Sequence, residues 1–321
     1  MFARVAMLCL VSCLWTVSPN GLMAQERGGG RPQPPEPDKA IDYKQVGDKS
    51  LKLHLFLPKA VADGGQAKTE ANGADNELRS AIVFYFGGGW TSGSPSQFYA
   101  QARYLADRGM VAACADYRVY SRDKAQVIDC IADAQDALLY VRDHAAELKI
   151  DPKRIAAAGG SAGGHLAAAV ATLKYRGEKA DAGDRYRPNA LVLFNPALVL
   201  APVADGDSSA NDGVRVANLQ QRMGDKPEAV SPYHHLSQAL PPTLIVHGKA
   251  DTTVPYRTVE AFEKRAVEFG AKCTLVGYAG QAHGFFNFNR GTQYYEATRD
   301  EMTNFLTREG FLTKPTVAPR P

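Results

Sequence analysis

The chain has 321 residues, of which 45% are hydrophobic and 22% are charged, a globular composition that excludes a disordered or coiled-coil protein. Lysine and arginine number 37 against 34 aspartates and glutamates, and this net charge of +3 is too small to indicate binding to nucleic acid or to an anionic membrane. The length is within the range of one large α/β domain.

The first 24 residues have the features of a secretory signal peptide. Arg4 is a lone positive charge, residues 5–17 are almost entirely apolar, and Ala24 offers a small residue for cleavage. Leu22 is not small, which leaves the cleavage point open. A membrane anchor and a lipidated Cys13 are the alternatives, although the apolar run is shorter than the roughly 20 residues that a membrane span needs. We therefore expect a secreted or periplasmic protein without stable membrane association once the signal is removed.

Four further segments are predicted before and after the main run of strands and helices. Residues 25–38 are rich in glycine and proline, which predicts a flexible linker. Residues 51–57 alternate apolar and polar side chains, the pattern of a half-buried strand. The polar residues 59–79 predict a surface loop. Residues 313–321 are expected to be a flexible tail.

From residue 81 onward, short apolar strands alternate with helical stretches. Near-continuous apolar runs predict buried parallel strands at residues 81–86, 111–115, 154–158, 190–194, 243–247 and 272–277. Helices are predicted between and after them at residues 97–108, 124–147, 164–175, 257–269 and 294–308. This alternation predicts one α/β domain over residues 39–312, with a mostly parallel central sheet and helices on both faces.

A Gly-x-Ser-x-Gly motif, Gly159-Gly160-Ser161-Ala162-Gly163, follows the third of these parallel strands. A sharp strand-to-helix turn crowds the backbone, so small residues must flank a serine that is held exposed above the edge of the sheet. We expect Ser161 to be a nucleophile on this ground. A plain glycine-rich turn is the alternative.

A serine nucleophile needs a base, and a histidine base needs a carboxylate that holds its tautomer. His283 follows the last predicted strand in a glycine-flanked loop and is the best placed of the seven histidines. Asp251 lies in the turn after the strand at residues 243–247. The chain order Ser161, Asp251, His283 is that of α/β-hydrolases. The alternatives are His247 as the base, and Asp225 or Glu228 as the acid.

Three glycines follow the first parallel strand, in Phe86-Gly87-Gly88-Gly89-Trp90. Glycines let backbone amides turn inward, which is how an oxyanion hole is assembled. We expect the amides of Gly88, Gly89 and Ala162 to be its donors and Trp90 to contact substrate.

No metal site is predicted. The three cysteines that remain after removal of the signal peptide are widely spaced, and the adjacent His234 and His235 lack partnering carboxylates.

Together, the segments GGGW, DYR, GGSAGG, HGKADTTVP and GQAHGF resemble the acetyl-esterase, hormone-sensitive-lipase-like and feruloyl-esterase-like group of α/β-hydrolases, over about residues 40–310. The resemblance implies hydrolysis of carboxylic esters by a Ser-Asp-His triad without metal or organic cofactor. One residue departs from the group, because a histidine usually precedes the glycines of the oxyanion loop and Phe86 stands here instead.

These observations predict a serine carboxylesterase that acts on short-chain, acetyl-type esters. The connection at residues 197–242 has an acidic, hydrophilic middle at residues 204–213, which makes a poor lid for a fatty chain. Secretion and the resemblance suggest a small-molecule ester, or an ester of plant or algal polysaccharide, as substrate. A serine peptidase of the same fold and a catalytically silent binding protein are the alternatives. The oligomeric state stays open.

Overall fold

The computed structural model describes residues 34–59, 78–203 and 219–313. The predicted signal peptide lies outside these ranges. So do the acidic middle of the long connection and most of the predicted linker, surface loop and tail.

One sheet of eight strands has the order β1-β2-β4-β3-β5-β6-β7-β8. The strands are β1 (Lys39–Val46), β2 (Lys49–Phe56), β3 (Arg79–Tyr85), β4 (Val111–Ala115), β5 (Ile150–Gly160), β6 (Ala190–Phe194), β7 (Thr243–Gly248) and β8 (Cys273–Tyr278). β1 and β2 form an antiparallel pair, and β2 also runs antiparallel to β4. All other neighbours pair in parallel. The predicted α/β class with a mostly parallel sheet is therefore confirmed.

Helices cover both faces of the sheet. The longer ones are α1 (Tyr99–Ala106), α2 (Val127–Asp143), α3 (Ala162–Thr172), α4 (Tyr256–Glu268) and α5 (Thr292–Arg308). One hydrophobic cluster joins the sheet to α2, α3 and α4, with Leu138, Leu166 and Phe262 among its members. A second cluster joins the opposite face to α1 and α5 through Leu105 and Phe305. Within the described ranges, no helix combines the length and apolarity that a bilayer span requires.

The helix predicted at residues 124–147 is shorter in the structure, where α2 covers Val127–Asp143 and a separate helical turn precedes it. A single helical turn, Tyr120–Asp123, ends at Lys124, whose φ of 54° is left-handed and cannot continue a right-handed helix. α2 then starts anew behind a capping box, in which the side chain of Gln126 accepts the amide of Asp129 and the Asp129 carboxylate accepts the amide of Gln126.

The direction of the parallel strands determines where functional groups can meet. β3, β5, β6, β7 and β8 are neighbours whose pairings run in the same sense, so their carboxyl ends lie along one edge of the sheet. In open α/β sheets, this edge is where ligands bind. The segments that carry the predicted site residues all leave the sheet here.

Candidate active site

Ser161 occupies the tight turn between β5 and α3. Its φ of 55° and ψ of −118° are strained for a residue with a side chain, and a backbone bond of 2.8 Å from its amide to the carbonyl of Phe194 holds the turn. The flanking glycines are required by contact, because a Cβ on Gly163 would collide with the carbonyl oxygens of Tyr85 and Phe86. The crowding predicted for this turn is therefore present in the structure.

His283 lies in the segment of residues 279–287 after β8, which we call the histidine loop. Its Nε2 is 2.9 Å from the Oγ of Ser161, and its Nδ1 is 2.7 Å from Oδ2 of Asp251. Because an ionised carboxylate only accepts hydrogen bonds, Nδ1 carries the proton and the lone pair of Nε2 faces the serine hydroxyl. This tautomer is the one in which a histidine can accept the serine proton.

Asp251 is buried, with 6% of the residue exposed, and hydrogen-bond donors surround its carboxylate. Oδ1 accepts the amides of Thr253 and Val254 at 2.9 Å each, and Oδ2 accepts the side-chain amide of Asn195 at 3.3 Å in addition to His283. Burial raises the pKa of this carboxyl, but hydrogen bonds from His247 and His283 outweigh it and hold the pKa well below its ordinary value. Asp251 is therefore ionised at neutral pH.

The alternative base and acid lie elsewhere. His247 is fully buried, and its Nε2 lies 2.9 Å from the carbonyl oxygen of Val254 and 3.3 Å from Oδ2 of Asp251, so it supports the acid and does not face the serine. Asp225 is exposed and pairs with Arg176 at 3.1 Å, and Glu228 is also exposed. The structure thus brings Ser161, His283 and Asp251 into one hydrogen-bonded chain without the alternatives.

The segment Gly87–Trp90, which we call the oxyanion loop, passes beside this chain. Gly88, Gly89 and Trp90 all have positive φ values, of 131°, 60° and 56°. The amide of Gly87 is bonded to Oε1 of Gln97 at 2.5 Å, whereas no acceptor among the described residues pairs with the amides of Gly88 and Gly89. The amide of Ala162 belongs to the first turn of α3, which has no acceptor within the helix.

Tyr117 supports the oxyanion loop through Phe86, the residue that stands where the resemblance leads us to expect a histidine. Its ring stacks on that of Phe86 with centroids 4.0 Å apart, and its hydroxyl donates to the Phe86 carbonyl at 2.6 Å. Burial raises the pKa of Tyr117 well above its ordinary value, so the hydroxyl keeps the proton that it donates. A stacked pair with a hydroxyl donor therefore occupies this place.

Trp90 lies inside the protein. Only 1% of the residue is exposed, and its indole N–H donates to Nδ1 of His165 at 3.2 Å. His165 in turn donates from Nε2 to the carbonyl of Val230 at 2.7 Å, and burial lowers its pKa to about 4. This buried position does not support the predicted contact with substrate. Trp90 instead packs inside the protein and stabilises the oxyanion loop.

Three amide side chains around the site are absent from the residues singled out by sequence. Asn195 follows β6 and bridges Asp251 to the amide of Gly284, while Gln97 and Asn287 bond to each other at 2.9 Å. A polar residue directly after a buried strand was the available signal for Asn195. Gln97 and Asn287 are 190 residues apart, and no local pattern marks them.

Within the described ranges, no group of three or more histidine, cysteine or acidic side chains is arranged to hold a metal ion.

The chain matches the BD-FAE family model over residues 70–265 and the dienelactone hydrolase family model over residues 224–310. The isoprenylcysteine α-carbonyl methylesterase of Arabidopsis thaliana is 27% identical over 226 residues, covering 64% of this chain and 50% of the relative. The acetylxylan esterase of Xylanibacter ruminicola is 25% identical over 253 residues, covering 77% and 49%. The chain spans about half the length of these curated relatives.

Among solved structures, the apo form of Thermogutta terrifontis esterase 2 is 44% identical with a TM-score of 0.76, covering 88% of this chain and 98% of that one. The same esterase has also been solved with bound propionate, with bound butyrate, and phosphonylated by sarin. Because the BD-FAE model spans more than half of the chain and the Thermogutta structure shares its fold, the chain belongs to the BD-FAE family, on the α/β-hydrolase fold of the esterases that its motifs resemble.

Proposed function

We propose that the protein is a serine carboxylesterase that works through an acyl-enzyme. The observation that carries the proposal is the chain of hydrogen bonds from Ser161 through His283 to Asp251, lying beside an oxyanion loop with unpaired amides. The names of its relatives, esterases in each case, support the same reaction class.

In the first half of the reaction, Nε2 of His283 takes the proton of the Ser161 hydroxyl while Oγ attacks the carbonyl carbon of the ester. The resulting oxyanion is held by the amides of Gly88, Gly89 and Ala162. The intermediate then collapses as the ester C–O bond breaks, and the departing alcohol receives the proton from His283. The acyl group stays on Ser161.

In the second half, a water molecule gives a proton to His283 and its oxygen attacks the acyl carbon. The C–O bond to Ser161 breaks, the serine recovers its proton from His283, and the carboxylic acid leaves. Asp251 accepts the Nδ1 proton throughout and stabilises the imidazolium that forms in each half.

We further propose that the substrate carries a short acyl group. The bound propionate and butyrate of Thermogutta terrifontis esterase 2, at 43% identity, support an acyl site of three to four carbons. A longer chain gains binding energy only if it is buried, at about 0.8 kcal/mol per CH₂, and this requires an apolar groove or lid. The acetylxylan esterase relative is compatible with acetylated polysaccharide.

A series of p-nitrophenyl esters from acetyl to decanoyl tests this part of the proposal. The value of kcat/KM is expected to fall steeply beyond about four to six acyl carbons, because further methylenes stay in water and gain nothing from burial. A maximum at decanoyl would contradict the short-acyl assignment without affecting the assignment of the nucleophile.

The substitution Ser161→Ala tests the proposed mechanism. Turnover should fall to a few per cent of wild type or less, because alanine leaves no oxygen to attack the ester. Far-ultraviolet circular dichroism should be unchanged, and a fluorophosphonate probe should label the wild-type protein but not the variant. Substantial turnover by the variant would reject Ser161 as nucleophile, and failure of the wild-type protein to react with the probe would indicate a silent binding protein.

The location that we propose, outside the cytoplasm, rests on the N-terminal sequence alone. The mass of the protein recovered from the periplasm or culture medium should correspond to a chain that begins near Gln25. A chain that still begins at Met1 would refute cleavage.

A further inference from the structure

The oxyanion loop and the histidine loop leave different strands, β3 and β8, that are not neighbours in the sheet. Catalysis by the proposed mechanism requires both loops to keep a fixed distance, since the amides must meet the oxyanion while His283 serves the same carbonyl centre. A bridge of two carboxamide side chains, Gln97 and Asn287, connects them directly.

The bridge has a continuous direction. The amide of Gly87 donates to Oε1 of Gln97 at 2.5 Å, Nε2 of Gln97 donates to Oδ1 of Asn287 at 2.9 Å, and Nδ2 of Asn287 donates to the carbonyl of Gly284 at 2.8 Å. A backbone donor at one end and a backbone acceptor at the other allow only this orientation of the two carboxamides. Within the bridge, each carboxamide accepts one hydrogen bond with its oxygen and donates one with its nitrogen.

At the oxyanion end, the bridge completes a clamp on one peptide group. The Phe86–Gly87 peptide has its carbonyl bonded to the Tyr117 hydroxyl at 2.6 Å and its N–H bonded to Gln97. Both polar atoms of this peptide are occupied, so its plane is fixed and the next two amides, of Gly88 and Gly89, are oriented by it. The same bond explains why the donors begin at Gly88, because the Gly87 proton is already engaged.

At the histidine end, the residue held is the neighbour of the base. The Gly284 carbonyl accepts both the side chain and the backbone amide of Asn287, at 2.8 and 3.2 Å, while its N–H bonds to Oδ1 of Asn195 at 3.3 Å. Gly284 has a φ of 79°. Because glycine adopts positive and negative φ about equally readily, the hydrogen bonds hold this backbone in place.

We infer that Gln97 is a positioning residue that aligns the oxyanion donors with His283 through Asn287, an inference that rests on the proposed function. The hydrogen bonds of Gln97 go to Gly87 and Asn287 and not to the nucleophile or the base, so its loss should disturb alignment and leave substrate binding nearly intact. Loss of a single oxyanion donor costs about 10²–10³ in turnover, and loss of alignment alone should cost less than that.

The test compares Gln97→Ala with the matched control Gln135→Ala on p-nitrophenyl butyrate. Gln135 is a fully buried glutamine in α2 that also makes two hydrogen bonds, to the amide of Arg176 and the carbonyl of Lys174. Gln97→Ala should lower kcat about 10- to 100-fold with KM within threefold. Gln135→Ala should lower the melting temperature at least as much but leave kcat within twofold. A kcat within threefold of wild type for Gln97→Ala would overturn the inference.

A transition-state probe separates alignment from general destabilisation. An alkyl trifluoromethyl ketone adds to the serine and places an oxyanion in the hole, so its inhibition constant for Gln97→Ala should rise by about the factor by which kcat/KM falls. The nearly isosteric Gln97→Glu keeps an acceptor for the Gly87 amide and should recover part of the affinity. An unchanged inhibition constant for Gln97→Ala would mean that the oxyanion site does not depend on the bridge.

Asn287→Ala provides a second route if Gln97→Ala does not fold. Because both variants break one bridge, the double variant should lose no more than about the larger single loss in kcat, whereas fully additive losses would overturn the coupling. Ser161→Ala identifies the source of a failure. If it remains active, the proposed mechanism with Ser161 as nucleophile is wrong. If it is inactive while Gln97→Ala behaves as wild type, only the bridge is refuted.

Discussion

Asp251 shows how a single carboxylate can be buried and yet remain charged. Removal from water opposes ionisation, and at this position the two backbone amides and the side chains of Asn195, His247 and His283 supply the donors that replace water. Four of these five donors do not belong to His283. The carboxylate is therefore held in place independently of the base that it orients.

Asp251→Asn should reduce kcat by about 10⁴, by analogy with serine proteases, because an amide nitrogen facing Nδ1 favours the wrong histidine tautomer. The matched control is Asp225→Asn, which removes an exposed acid paired with Arg176 and should leave kcat within twofold. Steady-state kinetics on a short p-nitrophenyl ester measures both. Equal effects of the two substitutions would mean that Asp251 is not the acid.

His165 gives the protein a sensitivity to acid that does not involve the triad. Burial lowers its pKa to about 4, with a smaller opposing contribution from the hydrogen bond to Val230. In the unfolded chain a histidine has a pKa of about 6.5. Between these two pKa values, His165 is protonated in the unfolded state and neutral in the folded state. The contribution of neutral His165 to the free energy of unfolding is therefore complete above about pH 6.5 and is lost as the pH falls toward 4.

The free energy of unfolding should therefore decrease by about 2 kcal/mol between pH 7 and pH 4.5 through this group alone. Glutamine can accept from Trp90 and donate to Val230 without titrating, so His165→Gln should show a correspondingly smaller decrease. Urea denaturation at the two pH values measures the difference. A variant with the same pH dependence as wild type would show that His165 is not the responsible group.

At the scale of elements, the parallel strands were predictable because burial on both faces makes them continuous apolar runs, as in β4 and β6, which have the predicted bounds. β1 was not predicted. It is an edge strand in which only Lys44 of eight residues is buried, and its register with β2 shifts between Asp42 and Lys44. A strand that buries so little leaves almost no hydrophobic period to detect.

The candidate triad was predictable for a related reason. Ser161, Asp251 and His283 each stand in a short segment whose glycines and strand context mark them locally. Gln97, Asn195 and Asn287 each depend on at least one partner that is 56 or more residues distant in the chain, so no local pattern encodes their roles. The prediction that Trp90 contacts substrate rested on its place beside the glycine run, and that position gives no sign that the fold buries the side chain.

At the scale of the whole molecule, the proposed nucleophile follows a central strand of the sheet and its base follows an edge strand. The two residues are therefore held with different strength. Ser161 follows β5, which lies between β3 and β6 and ends in six consecutive buried residues. His283 follows β8, which has a single neighbour, β7, and contains no fully buried residue. Strands at an edge open at a lower free energy than central ones.

We therefore expect the proposed activity, on heating, to depend on how firmly the edge strand β8 is held. If β8 detaches from the sheet, His283 moves away from Ser161. The remaining strands stay folded, so the circular-dichroism signal changes little. On heating, hydrolysis should accordingly cease several degrees before the cooperative transition, and cooling at that stage should restore it, since the bulk of the fold has never been lost.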